Sequence, residues 1–138
     1  MEYERHFTID EANQMIPWLE EQLLGVVSVM ENLEDLDRNL DNILQKVRSN
    51  GHSNSHSKTK KDMAENRKQT DNSTERLRLF AEGIQDLGII LRDPIQGLVD
   101  FPALNDGREI YLCWISGEDR IKFWHEITTG FSGRQPLM

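Results

Sequence analysis

His125 is the residue at which chemistry is easiest to assemble. It stands in the segment Phe123-Trp124-His125-Glu126, where alternation along an extended chain puts it on the side of Ile121 and Phe123, with Trp124 and Glu126 opposite. A polar ring on an apolar side needs a partner, and neighbouring segments supply Asp100 and Glu118. Two chemistries follow from such a grouping: a histidine–carboxylate pair that moves a proton, or a metal site in which His125 is joined by Asp100 or Glu118. The competing use is structural, with a partly buried His125 fixed by one carboxylate or a backbone carbonyl, and it carries the greater weight because no His-x3-His spacing surrounds the residue. Arg108 and Arg134 add planar, fork-shaped donors suited to carboxylate or phosphate. Salt bridges to Asp100, Asp106, Glu118 or Glu126 compete for them, since acidic groups outnumber basic ones in this part of the chain. The candidate pocket is therefore Asp100, Arg108, Glu118, His125, Glu126 and Arg134. In it His125 ligates a metal or shuttles a proton, Asp100 or Glu118 orients it, Arg134 holds an anionic substrate, and Arg108 and Glu126 form the edge. No cofactor is identified by any motif.

Other reactive residues read as inert. Cys113 lies between Leu112 and Trp114, where a thiol is packing rather than a nucleophile. His52 and His56 are four apart but sit among serine and asparagine, which disfavour the helix that would bring them together. Asn72-Ser73-Thr74 matches a glycosylation acceptor without a secretory context. There is no phosphate-binding glycine loop, no Ser/His/Asp signature and no internal repeat.

The elements that must position these residues are legible. Thr8 followed by Glu11 is a capping box, preceded by Phe7 as a staple. From there apolar residues recur at Ala12, Ile16, Leu19, Leu23, Val26, Met30, Leu33, Leu40, Leu44 and Val47, a heptad seam interrupted only at Asp37. Pro17 should kink this helix without ending it. The pattern predicts a helix over 9–48, a mobile polar tip over 49–60, and a second helix over 61–87 with Leu77, Phe80, Ala81, Ile84 and Leu87 on one side and Gly88 to end it. The first half of that second helix offers only Met63, Thr70 and Thr74, so Leu33, Leu40, Leu44 and Val47 are left incompletely covered. A second copy of the chain would cover them, which predicts a homo-oligomer, most simply a dimer.

After Gly88 the pattern changes to strands: a short apolar run at Ile89-Ile90-Leu91, then 98–101, 109–115 and 120–126. Asn105-Asp106-Gly107 supplies a tight hairpin, and Gly117-Glu118-Asp119 the next turn. The fold class is α+β, a long antiparallel helical hairpin followed by a small antiparallel β-sheet, within one domain spanning 1–138 and with 88–138 as its β module. The aromatic face of the sheet should pack on the helices near 16–26 and 77–87.

The chain also resembles, over nearly its whole length, an uncharacterised prokaryotic family, the domain of unknown function 2203. The resemblance is carried by Phe7-Thr8, Glu11-Ala12-Asn13 and Pro17, then by the dense series Gly97 to Ala103, Gly107-Arg108, Leu112-Cys113-Trp114, Gly117-Glu118, Trp124-His125-Glu126, Gly130-Phe131 and Gly133-Arg134-Gln135-Pro136. It implies no activity, substrate or catalytic residue.

Composition bounds the function. The 138 residues carry a net charge of −8, which disfavours nucleic acid and anionic lipid as partners. No apolar run approaches a membrane span, Met1 to His6 lacks a signal-peptide pattern, and a single cysteine allows no internal disulfide. These features predict a cytoplasmic protein. On patterning alone the leading function is a non-enzymatic interaction or scaffold module that self-associates through its helices and presents the C-terminal sheet to a protein partner. The alternative is a small-ligand or metal-dependent enzyme with its pocket in the sheet.

Overall fold

The computed structural model describes residues 1–49 and 56–137. Two helices, α1 (Ile9–Ser49) and α2 (His56–Asp86), precede five strands, β1 (Ile90–Asp93), β2 (Leu98–Asn105), β3 (Arg108–Ile115), β4 (Phe123–Glu126) and β5 (Gln135–Pro136). The strands form one antiparallel sheet in the order β1-β2-β3-β4-β5. The α+β expectation holds. Half of the expected mobile tip, 50–55, lies outside the described residues, but 56–60 is helical, so α2 starts five residues before the expected Lys61. Lys58, Lys60 and Lys61 have straight side chains that lose little rotamer freedom in a helix, and their lack of apolar character does not oppose it.

Thr8 Oγ1 accepts from the Glu11 amide at 3.1 Å while the Glu11 carboxylate accepts from the Thr8 amide at 2.9 Å, closing the capping box at the start of α1. Pro17 sits inside a helix that continues past it.

The chain divides into two compact units, Met1–Val26 with Phe80–Met138, and Val27–Leu79. In the first, Ala12, Ile16, Leu19 and Leu23 of α1 and Ile84 of α2 are buried with Val99, Phe101, Ala103, Ile110, Leu112 and Trp114 from one face of the sheet. Complete burial of Trp114 and Phe101 contributes about 1.5–3 kcal/mol each. Gly25 admits the Phe80 ring, which a Cβ there would meet at 2.5 Å. Ile121 belongs to this helix-side core and precedes β4, with its amide donating to Asn13 Oδ1 at 2.7 Å. It is therefore not on the His125 face, contrary to the alternation argument, because the chain becomes extended only at Phe123.

In the second unit the buried track on α1 is Val29 and Leu36, with Ile43 half-buried seven residues on. Beyond Val26 it runs beside the expected Met30, Leu33 and Leu40, as a 3.6-residue helix drifts against a strict heptad. The facing side of α2 is polar: Asn66 Nδ2 donates to Leu36 O at 2.8 Å and Asn39 Oδ1 at 3.1 Å, and Asn32 Nδ2 donates to Ser73 Oγ at 2.7 Å. No described helix is long and apolar enough to cross a membrane.

Candidate functional site

Strands β2 and β3 are buried on both faces, from Val99 to Ala103 and from Ile110 to Trp114. One face meets the helices. The other carries Asp100, Pro102, Tyr111 and Cys113 of β2 and β3 together with Phe123 and His125 of β4, since Asp100 pairs with Cys113, Tyr111 with His125, and Cys113 with Phe123. The register of three adjacent strands thus gathers polar side chains on an outer face. Tyr3 covers part of it, meeting Tyr111 edge-on with the hydroxyls in hydrogen-bond contact.

Asp100 is 3% exposed and His125 2%. Asp100 Oδ1 lies 3.0 Å from His125 Nε2, and Asp100 Oδ2 accepts from Arg92 Nε at 2.9 Å. The other ring nitrogen, Nδ1, is 2.8 Å from the Glu126 carbonyl oxygen. A carbonyl only accepts, so Nδ1 carries a proton; Nε2 then faces a carboxylate, which also only accepts when ionised. A neutral imidazole has one N–H and satisfies one of these contacts, not both. A second positive species, a proton or a metal ion, completes the other.

Cys113 is fully buried beside this pair. Burial, with Asp100 next to it, pushes its thiol up to about 12, so the thiol is neutral and, unassisted, no nucleophile. Partial burial opposes charge on Arg92, but Asp100 and Tyr111 outweigh it and hold the guanidinium proton more tightly than usual. A concavity of about 290 Å³ opens over the group, lined by Arg92, Leu98, Asp100, Cys113, His125, Ile127, Thr129, Gly130 and Phe131.

The six residues expected to form a pocket fall into three pairs. Asp100 and His125 come together as above. Glu118 and Arg134 form a second pair: Arg134 Nη2 donates to both carboxylate oxygens, at 3.0 and 2.7 Å, while Glu118 Oε1 also accepts from the Ile115 amide at 2.9 Å. The Arg134 guanidinium stacks 3.8 Å from the Phe123 ring centre and 4.7 Å from that of Phe131. Glu118 is thereby engaged in a turn lock and is not among the groups around His125. Arg108 and Glu126 are ion-paired, and the contact holds the Glu126 carboxyl below its usual range. They do not line the concavity.

Sequence reasoning passed over Arg92 and gave Cys113 no role in the site. For Cys113 a signal existed: counting back equally on both sides of the Asp106-Gly107 turn pairs it with Asp100. The position of Arg92 depends on a register shift in β1 between Leu91 and Asp93, which no local pattern announces.

The chain belongs to the family described as Uncharacterized conserved protein (DUF2203), whose model matches residues 5–137. No curated protein and no solved structure matches it.

Proposed function

We propose that this member of the DUF2203 family is a cytoplasmic small-ligand-binding protein whose pocket lies on the outer face of the sheet. The observation that carries the reading is the buried Asp100–His125 pair among the lining of a concavity of about 290 Å³, near the lower end of the range for small-molecule sites. Leu98, Ile127 and Phe131 offer apolar contact, and Arg92 adds positive charge. The occupant is a small, polar, preferably anionic molecule.

The test is a thermal-shift panel of mono- and dicarboxylates, inorganic phosphate and nucleoside monophosphates. One class should raise the melting temperature, since a ligand at 100 times its Kd stabilises by about 2.7 kcal/mol. The shift should disappear in Phe131→Ala, a substitution at a residue 46% exposed and therefore safe for the fold. No shift with any class, or one unchanged in Phe131→Ala, refutes the pocket.

The interaction role favoured by patterning becomes a second reading. Within the helical pair of Val27–Leu79, Leu33, Leu40 and Leu44 are half-buried and Val47 is 38% exposed. Packing against a second copy of the chain would bury these side chains, which is the basis of the homodimer reading.

A further inference from the structure

Strand register brings together one oxygen, one nitrogen and one sulfur donor: a carboxylate oxygen of Asp100, a ring nitrogen of His125 and Cys113 Sγ all lie within 4.8 Å of one another, and all three residues are buried; Asp100 Oδ1 and His125 Nε2 are 3.0 Å apart. Donors around a tetrahedral divalent ion, at about 2.0–2.3 Å from it, are separated by roughly 3.3–3.8 Å. The Oδ1–Nε2 separation of 3.0 Å falls about 0.3 Å short of that range, and the 4.8 Å outer bound of the cluster lies about 1 Å beyond it.

The surroundings match those of a metal site. His125 Nδ1 is fixed by the Glu126 carbonyl, which turns Nε2 toward the cluster, and Asp100 Oδ2 is fixed by Arg92, which leaves Oδ1 for it. Such outer contacts orient imidazole and carboxylate ligands in metalloproteins. A cation bound by both residues would take the place of a proton shared between Nε2 and Oδ1.

We propose that Asp100, Cys113 and His125 form a three-ligand site for one thiophilic divalent cation of the Zn²⁺ class. The sulfur donor selects against Mg²⁺ and Ca²⁺, which take oxygen ligands. As the Sγ–metal bond forms, the thiol proton leaves to solvent, and no oxidant or reductant is involved. Carboxylate and thiolate then balance the ion's charge, and Arg92 favours an anion as fourth ligand. Three protein ligands with an exchangeable fourth position is the pattern of a reactive rather than a purely structural zinc site. The inference deepens the pocket reading and rests on it for that fourth position, which the small ligand would occupy from the concavity.

The full chain, stripped with a chelator, is titrated with Co²⁺ alone and then with Zn²⁺. The expected result is one cobalt bound per chain with a thiolate-to-cobalt charge-transfer band that Zn²⁺ abolishes. Cys113→Ser should lose the band and bind Co²⁺ about tenfold more weakly or worse, and His125→Gln should also weaken binding. A folded wild-type chain that binds no cobalt, or binds it without a sulfur signature, overturns the site without recourse to any variant. So does a band that survives in Cys113→Ser. The compound panel repeated on both the stripped and the cobalt-loaded wild type separates the two claims. Phe131-dependent binding without cobalt binding keeps the pocket and removes the metal site, whereas a sulfur-ligated cobalt with no bound panel compound keeps the site and removes the pocket.

Discussion

Glu109 illustrates how much one side chain organises. Its carboxylate accepts from the Glu2 and Tyr3 amides at 2.8 and 3.0 Å and meets His6 Nε2 at 2.7 Å, tying the first residues to β3. Tyr3, held in this way, reaches the Tyr111 hydroxyl on the outer face of the sheet. The His6 contact, followed by the two backbone amides, holds the Glu109 carboxyl below its usual 4.5. A carboxyl with a depressed folded-state pKa stabilises the fold above its unfolded pKa, and that contribution is lost as pH falls through the lower folded value. Glu109→Gln should therefore lower the melting temperature at pH 7 by roughly a few degrees. The difference from wild type should shrink below about pH 4, where the wild-type carboxylate is itself being protonated. A difference independent of pH across that window would show that Glu109 acts through packing alone.

Among the elements, the two turns flanking β2 differ in a testable way. Asp106 and Gly107 have φ of 51° and 79°, the two positive angles of a tight hairpin whose hand suits strand twist. A Cβ on Gly107 would have nothing within 4 Å, so Gly107→Ala meets only backbone strain, about 1–2 kcal/mol. Gly97 also has a positive φ, of 73°, but a Cβ there would sit 2.6 Å from Ser116 Cβ, an atom fixed to the neighbouring backbone. Gly97 further accepts from the Ser116 amide at 3.0 Å, so the strands cannot part without losing that bond. Gly97→Ala should cost about 2–4 kcal/mol, the backbone strain plus overpacking. Denaturant unfolding of the two variants measures the difference, and equal losses would mean that β2 and β3 yield readily at this point. Because Leu98 and Asp100 follow directly, distortion at Gly97 should also disturb the pocket, whereas Gly107→Ala should spare it.

For the whole molecule, the homodimer reading is tested by mass in solution. The chain has a mass of 16.1 kDa, and sedimentation equilibrium at micromolar concentration should give about twice that if half-buried leucines on α1 pair between copies. Leu40→Glu with Leu44→Glu should return the monomer, because burying two carboxylates in an apolar seam is strongly unfavourable. A monomer in the wild type, or a dimer indifferent to both substitutions, removes this reading. Either result leaves the pocket claim standing, since the residues lie in different units.

Local signals in the sequence determine the elements and one face of the sheet. The capping box, the apolar periodicity through Val26 and the Asp106-Gly107 turn are each encoded within a few residues, so they can be read without knowing what packs where. The turn even pairs Asp100 with Cys113, because a two-residue hairpin leaves one register for its strands. Tertiary structure decided the rest. The segment from Ser116 to Lys122 is too irregular to transmit register, so the approach of His125 to Asp100, and the engagement of Glu118 by Arg134, depend on how β4 docks on β3. The position of Arg92 depends likewise on an irregularity in β1. Side chains far apart in sequence meet because adjacent strands share a face, and that sharing is fixed by long-range hydrogen bonding and core burial rather than by spacing along the chain.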